Sequence, residues 1–458
     1  MKTVLIVGAG FSGAVTAARL LQQQQNGSLR ILLANGSGRV ARGMAYGTQS
    51  PDHTLNVPAG NMSAFDDLPN HFLDFARMRD PGIHAGSFVS RSIYGDYLEW
   101  LLEQAERQAQ PGTKLERLYQ HVNRIVPNGS SAMVTLECGE TMQVDKVVLA
   151  LGHFPSANPR IADMTFYGSS RYIRDPWDTV RLENIAPDDP VLLLGTGLTA
   201  VDIAMTLLHR NPKRPVTAVS RRGLLPQHHR HGAHPPIANQ MPSTIWGNAS
   251  TVREQFRGFR HYSKQLALEQ RDWREAMALL RPVTADIWLT YTEKERRRFL
   301  RHVQPYWDTH RHRLAPAVFE RFDSARKTGV IRTLAARLRG FDESNSGITA
   351  TVQLRGAAEN TNLRTAWVIN CTGPCANPHG TGNTLVNQLL EDGHIRADKL
   401  GLGLEIGPDC AVINKQNQAS DVIFYIGPWL KANYWEATAV PDLRRFASAL
   451  GNRLLAPE

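Results

Sequence analysis

Two stretches of this sequence repeat one pattern: "VLIVGAGFSGAVTAARLL" begins at Val4, and "VLLLGTGLTAVDIAMTLL" begins at Val191. Each opens with a short apolar, β-branched run of the kind that forms a buried parallel strand. Each then turns on glycine and enters a run whose small and apolar residues have helical spacing. A glycine turn joining a strand to a helix commits the chain to α/β architecture. It also aims a helix N-terminus, with its unpaired N–H groups, at whatever lies before the turn.

In the first copy, Gly8 permits the tight turn, Gly10 lets a ligand approach the backbone, and Gly13 lets helix and strand pack closely. Phe11 and Ser12 complete the loop. This is the pattern that cradles the pyrophosphate of a dinucleotide. The next strand, "RILLA" (Arg30 to Ala34), should end in an acid that holds a ribose hydroxyl; Asn35 stands there, an amide that bonds without charge. In the second copy, Gly195, Gly197, Leu198 and Thr199 form the turn, and Ala200 replaces the third glycine. The strand after it, "VTAVS", ends in Ser220, Arg221 and Arg222. Guanidinium groups in place of an acid suit a 2′-phosphate. The expectation is FAD at the first turn and NADPH at the second, with a hydride passing from one to the other.

Composition narrows the setting. A chain of 458 residues allows two or three domains, and 42% hydrophobic with 21% charged residues is ordinary for a globular protein. The net charge of +10 and a pI near 9.6 suit an acidic small molecule, nucleic acid or a membrane surface. No basic run is interleaved with aromatics as on a nucleic-acid face, so nucleic acid is not the expected partner. Four cysteines without a CxxC point to a reducing compartment. The N-terminus lacks the pattern of a signal peptide, and no apolar run has transmembrane length. The reading is a cytoplasmic protein without a membrane partner. The first 137 residues hold no cysteine, which sets aside a disulfide reductase built on the same two-dinucleotide plan.

Two further strands, in "DKVVLALGHFP" (Asp145 to Pro155) and "TAWVINCTGP" (Thr365 to Pro374), read as crossovers of the first dinucleotide domain. The reading is an FAD domain in two parts, residues 1–160 and 346–458. Between them lies an NADPH domain, 161–345, with a helical insertion at about 245–330. The insertion is rich in Arg, His and Trp, and is read as substrate-covering or dimer-forming. His228, His229, His231 and His234 have no usual zinc spacing, so no metal is expected.

The glycine turns, "RSIYGDYLEW" (Arg91 to Trp100) and the Cys371-Thr372-Gly373 crossover resemble the two-dinucleotide flavoprotein monooxygenases, which include amine N-hydroxylating enzymes. More narrowly, "GMAYGTQSPDHTLNVPAGNMSAF" (Gly43 to Phe65), "SRRGLLPQHHR", "WDTHRHRLAP" and "GPWLKANYWEATAVPDLR" resemble a bacterial FAD/NAD(P)-binding protein family largely unassigned in function. A characterised branch of it hydroxylates the amino group of aspartate to give nitrosuccinate. The resemblance implies N-hydroxylation of an amine or amino acid, with O₂ as co-substrate, through a C4a-hydroperoxyflavin. Asn56 is the candidate polar group near the flavin, and Arg91, Arg311 and Arg313 are candidates to hold an acidic substrate. Gly43, Val122, Gly152, Gly373 and Gly427 join the cofactor-binding candidates. Two other readings stay open: an NADPH-dependent flavin reductase or oxidase without oxygen transfer, and a non-catalytic or RNA-associated flavoprotein.

Overall fold

The computed structural model describes residues 1–24, 28–231 and 251–456. Two sheets organise it. The first has six strands in the order Ala411–Ile413, Ala419–Tyr425, Lys146–Leu149, Lys2–Val7, Leu29–Ala34, Thr113–Leu118. Its four sequential neighbours from Lys146–Leu149 to Thr113–Leu118 are parallel, as is the pairing of Ala419–Tyr425 with Lys146–Leu149. Val4, Leu5 and Ile6 have no exposed surface, as expected of a strand covered on both faces. A three-stranded antiparallel sheet, Val122–Asn128, Ser131–Leu136 and Thr141–Val144, leads into the crossover strand.

The second sheet has seven strands: Asn360–Thr365, Gly347–Leu354, Ile331–Ser344, Val216–Ser220, Val191–Leu194, Trp367–Asn370, Tyr172–Ile173. This corrects the expected division of the chain. "TAWVINCTGP" does not return to the first sheet; Trp367–Asn370 lies parallel to Val191–Leu194. The second domain therefore runs past residue 345, to Asn370. The reason is that each glycine turn needs its own crossover strand beside the strand that precedes it. Lys146–Leu149 serves the first turn and Trp367–Asn370 the second.

The insertion follows Val216–Ser220 and is helical, with Val252–Leu268, Arg274–Leu280, Thr284–Thr290 and Gln304–Arg311 among its helices. Its last helix, Pro316–Lys327, belongs to the second domain instead: Leu314, Ala315, Val318 and Phe322 pack in that domain's core with Val201 and Ile331. The two domains are pinned together by polar contacts. Arg91 Nη2 lies 2.8 Å from Asp202 Oδ2, and both side chains are buried. Thr48 Oγ1 and Thr206 Oγ1 flank the two ring nitrogens of His53 at 2.7 and 2.9 Å.

Candidate functional site

The two turns have the same geometry. A Cβ on Gly8, at φ +104°, would lie 2.3 Å from the carbonyl oxygen of Ala150; one on Gly195, at φ +120°, would lie 2.3 Å from that of Cys371. In each case the crossover strand ends against the turn, and only glycine fits. The helices that follow, Phe11–Gln23 and Leu198–Arg210, begin at Gly10 and Gly197 without a side-chain cap. Helix Arg91–Arg107, by contrast, is capped by the Ser90 hydroxyl. The uncapped first-turn N–H groups are thus offered to an outside anion. A Cβ on Gly197 would meet nothing within 4 Å, so a ligand can approach that backbone closely.

Before the first turn lies a cavity of about 860 Å³. Gly8, Gly10, Phe11, Ser12, Asn35, Gly43 and Gly152 line it, as do Arg39, His121 and His153. Pro428, Thr438 and Val440, at or near the start of helix Val440–Leu455, line it as well. Thr206 and Arg210 of the second domain border it too. Its volume, glycine floor and uncapped helix fit a dinucleotide.

The remaining candidates fall differently. Gly13 packs under the turn, where a Cβ would meet the Gly8 carbonyl oxygen at 1.9 Å. Val122 is buried in the first domain's core, and its neighbour His121 lines the cavity in its place. Gly427 sits behind Pro428, with Tyr425 Oη 2.8 Å from where its Cβ would be. Asn35 Oδ1 accepts from Ser37 Oγ at 3.1 Å and its Nδ2 donates to the Arg39 carbonyl, so the amide holds its own loop. Gly373 follows the second crossover strand, as Gly152 follows the first. Beyond the second turn, Ser220 Oγ accepts from Gly223 N at 3.0 Å, Arg221 is exposed, and Arg222 donates to the Arg301 carbonyl at 2.9 Å.

Arg91 is corrected. Its guanidinium is spent on Asp202 and, through Nε, on the Thr54 carbonyl at 3.0 Å, so it joins two domains and is not free to hold a substrate. Asn56 stands outside the residues lining the cavity; its carbonyl accepts from His229 Nε2 at 2.9 Å. The His-rich loop thus reaches back to the first domain. His234 lies outside the described residues.

Arg311 opens onto a group of residues that the sequence reading did not single out. Its Nε donates to Glu436 Oε2 at 2.8 Å, and Trp307 Nε1 donates to Glu436 Oε1 at 2.8 Å. Glu436 is buried and held at φ 76°, a left-handed conformation rare outside glycine and costly without support. Lys431 lies beside it, with Nζ 4.2 Å from the ring centroid of Trp435. Burial holds the Lys431 pKa below its ordinary value, against the attraction of Asp308 and Glu436. Burial pushes the Asp308 carboxyl up, against the pull of Lys431 and His312. His312 and His153 are held neutral, each lowered to about 4 chiefly by burial, with Lys431 adding repulsion. His153 also lines the dinucleotide cavity, so this acid–base group stands at its edge. Arg313 follows it; burial and its neighbour Arg311 lower its pKa to about 10, and its Nε is buried without a hydrogen-bond partner. The signal for this group was present in the quoted motifs: Asp308, His312, Lys431 and Glu436 are polar residues embedded in aromatic runs.

Residues 5–154 match the family model described as FAD-NAD(P)-binding. Among curated proteins, nitrosuccinic acid synthase npaA of Aspergillus oryzae is 33% identical over 133 residues, a stretch covering 26% of this chain and 20% of that protein. Among solved structures, the ornithine N-hydroxylase of Kutzneria sp. 744, with reduced FAD, NADP⁺ and L-ornithine, aligns over 99% of this chain and 98% of its own. The TM-score is 0.66 at 14% identity. The L-lysine 6-monooxygenase of Pseudomonas syringae aligns over 99% and 98%, with a TM-score of 0.65 at 17% identity. The chain has the fold of these two-dinucleotide flavin enzymes. No described helix is long and apolar enough to cross a membrane.

Proposed function

We propose that a chain of this fold, with two uncapped glycine-turn helices and an acid–base group at the edge of the cavity before the first of them, is an FAD-dependent, NADPH-using N-monooxygenase. Its substrate is a primary amine or an amino acid, an acidic one included. The observation that carries the reading is the half-buried Lys431, set among Asp308, Glu436, His312 and His153 beside the dinucleotide cavity that His153 lines. When bound, FAD and NADPH supply the electrons and the oxygen chemistry.

The protein's own part is to deliver a nitrogen lone pair. An ammonium group has none, so the substrate amine must lose its proton. The depressed Lys431 pKa brings that side chain toward its neutral form, in which its amine can accept the proton that the substrate ammonium loses. Arg313 is the group left to meet a substrate carboxylate, since Arg311 is committed to Glu436. The aromatic residues around the group, Trp307 and Trp435, exclude water. The Kutzneria and Pseudomonas relatives act on ornithine and lysine, and the Aspergillus relative is named for nitrosuccinic acid. All three names support an amino-acid substrate.

The test is direct. The purified protein is loaded with FAD, its visible spectrum recorded, and NADPH oxidation followed in air with a panel of amino acids, acidic ones included, and diamines. The expected result is amine-dependent NADPH consumption matched by hydroxylamine or a more oxidised nitrogen product. NADPH consumption that gives only hydrogen peroxide whatever amine is added overturns oxygen transfer. A protein that takes up no flavin overturns the whole reading.

A further inference from the structure

Within the helical insertion lies a second cavity of about 570 Å³, within the size range of small-molecule sites. Its lining shares no residue with the dinucleotide cavity. Among the described residues its walls are predominantly aromatic and aliphatic, with Phe259, Trp273, Met277, Trp288, Phe299 and Trp307 prominent. Natural interiors are packed without voids of this size, and an apolar void does not hold water well. A space so lined is shaped for an apolar body.

One wall is helix Val252–Leu268, and its charge gives the ligand's other property. Arg260 and Lys264, one turn apart, both border the cavity, and both are exposed. Arg253 and Arg257 continue the basic face, against a single acid, Glu254, in the same helix. Long basic side chains can lay their stems on the apolar rim while keeping the charged ends in water. There they are placed to hold an anionic group on a molecule whose body is inside.

We propose that this cavity is a binding site for an anionic amphiphile: a carboxylate, sulfonate or phosphate carried on an aliphatic or aromatic body. The site stands whether or not the chain hydroxylates amines. The wall is shared with the acid–base group: Trp307 donates to Glu436, and Trp435 lies under Lys431 and packs on Trp288 with ring centroids 4.7 Å apart. An occupant would therefore press on the two tryptophans that hold those charged residues.

The experiment uses the full chain, loaded with FAD and saturated with NADP⁺ so that the dinucleotide cavity is blocked. Decanoate and its neutral counterpart decanol are titrated by calorimetry, with tryptophan fluorescence as a second readout. One decanoate is expected to bind per chain, about tenfold more tightly than decanol, as one charge-assisted contact provides. Met277→Trp, which narrows the cavity, should weaken binding of both by about tenfold or more. Arg260→Glu with Lys264→Glu should leave decanol binding unchanged and remove the preference for decanoate. Ser263→Trp, at a half-buried position of the same helix that also lines the cavity, provides a second narrowed form should Met277→Trp fold poorly. Absence of saturable binding, equal affinity for the two probes, or undiminished binding in the folded, narrowed variants overturns the proposal.

Discussion

Replacing Arg91 by methionine removes a guanidinium and leaves the Asp202 carboxylate buried without its partner. The pair lies at 2.8 Å with side-chain exposures of 10% and 7%, so solvent does little to screen it. Losing one member of such a pair costs about 3–5 kcal/mol. Methionine matches the aliphatic stem, so little of the loss comes from packing. On a domain of this size that loss lowers Tm by roughly 10 °C. The Thr54 carbonyl loses its donor too, which adds to the same side. The assay is calorimetry of Arg91→Met, Asp202→Leu and the double variant, with steady-state kinetics beside it. The double variant should recover much of the loss, because an apolar pair leaves no orphan charge. KM for the amine should stay near the parent value in any variant that remains folded. An Arg91→Met that melts within a degree of the parent while its KM rises tenfold or more would refute the assignment and restore Arg91 as a substrate-holding residue.

Gly195→Ala should abolish NADPH-driven flavin reduction while leaving bound flavin in place, because the added Cβ meets the Cys371 carbonyl at 2.3 Å; reduction by dithionite, compared with NADPH, separates the two effects. Arg221→Ala should shift preference from NADPH toward NADH by about tenfold or more in kcat/KM, because it removes the exposed guanidinium placed to meet a 2′-phosphate. Lys431→Met should lower turnover by about 100-fold or more and remove the limb of the pH profile on which rate rises as Lys431 loses its proton, a limb expected below the ordinary lysine range. His153 and His312 have folded pKa values near 4 against an ordinary 6.5, so the unfolded chain binds more protons between those values. Their contribution to stability is present above pH 6.5 and is lost as pH falls toward 4; urea titrations across that window should show the decline, and His312→Asn should flatten it.

Both glycine turns were legible because each is decided within about a helical turn of sequence on either side: β-branched strand, glycine and small-residue helix lie side by side in the chain. The crossover after the second turn was legible as a strand but not as to which sheet it joins. Pairing of Trp367–Asn370 with Val191–Leu194 joins residues far apart in sequence, and periodicity carries no record of the partner. The same limit governed the charged residues. Arg91 and Asp202 are 111 positions apart, and nothing local distinguishes a guanidinium that will find a buried carboxylate from one that will face a substrate.

By itself, then, the sequence determined that this chain builds two strand–turn–helix units whose helix N-termini await anions, since steric freedom at glycine and strand burial are local properties. Only the tertiary structure decided that Lys431, Asp308, His312, Glu436 and His153 would stand together at the edge of the first cavity. They come from the loop after a crossover strand, from a helix of the insertion and from a turn near the end of the chain. The altered acidities of Lys431, Asp308, His312 and His153 arise first from desolvation and then from their charged neighbours, and neither exists until the chain has folded.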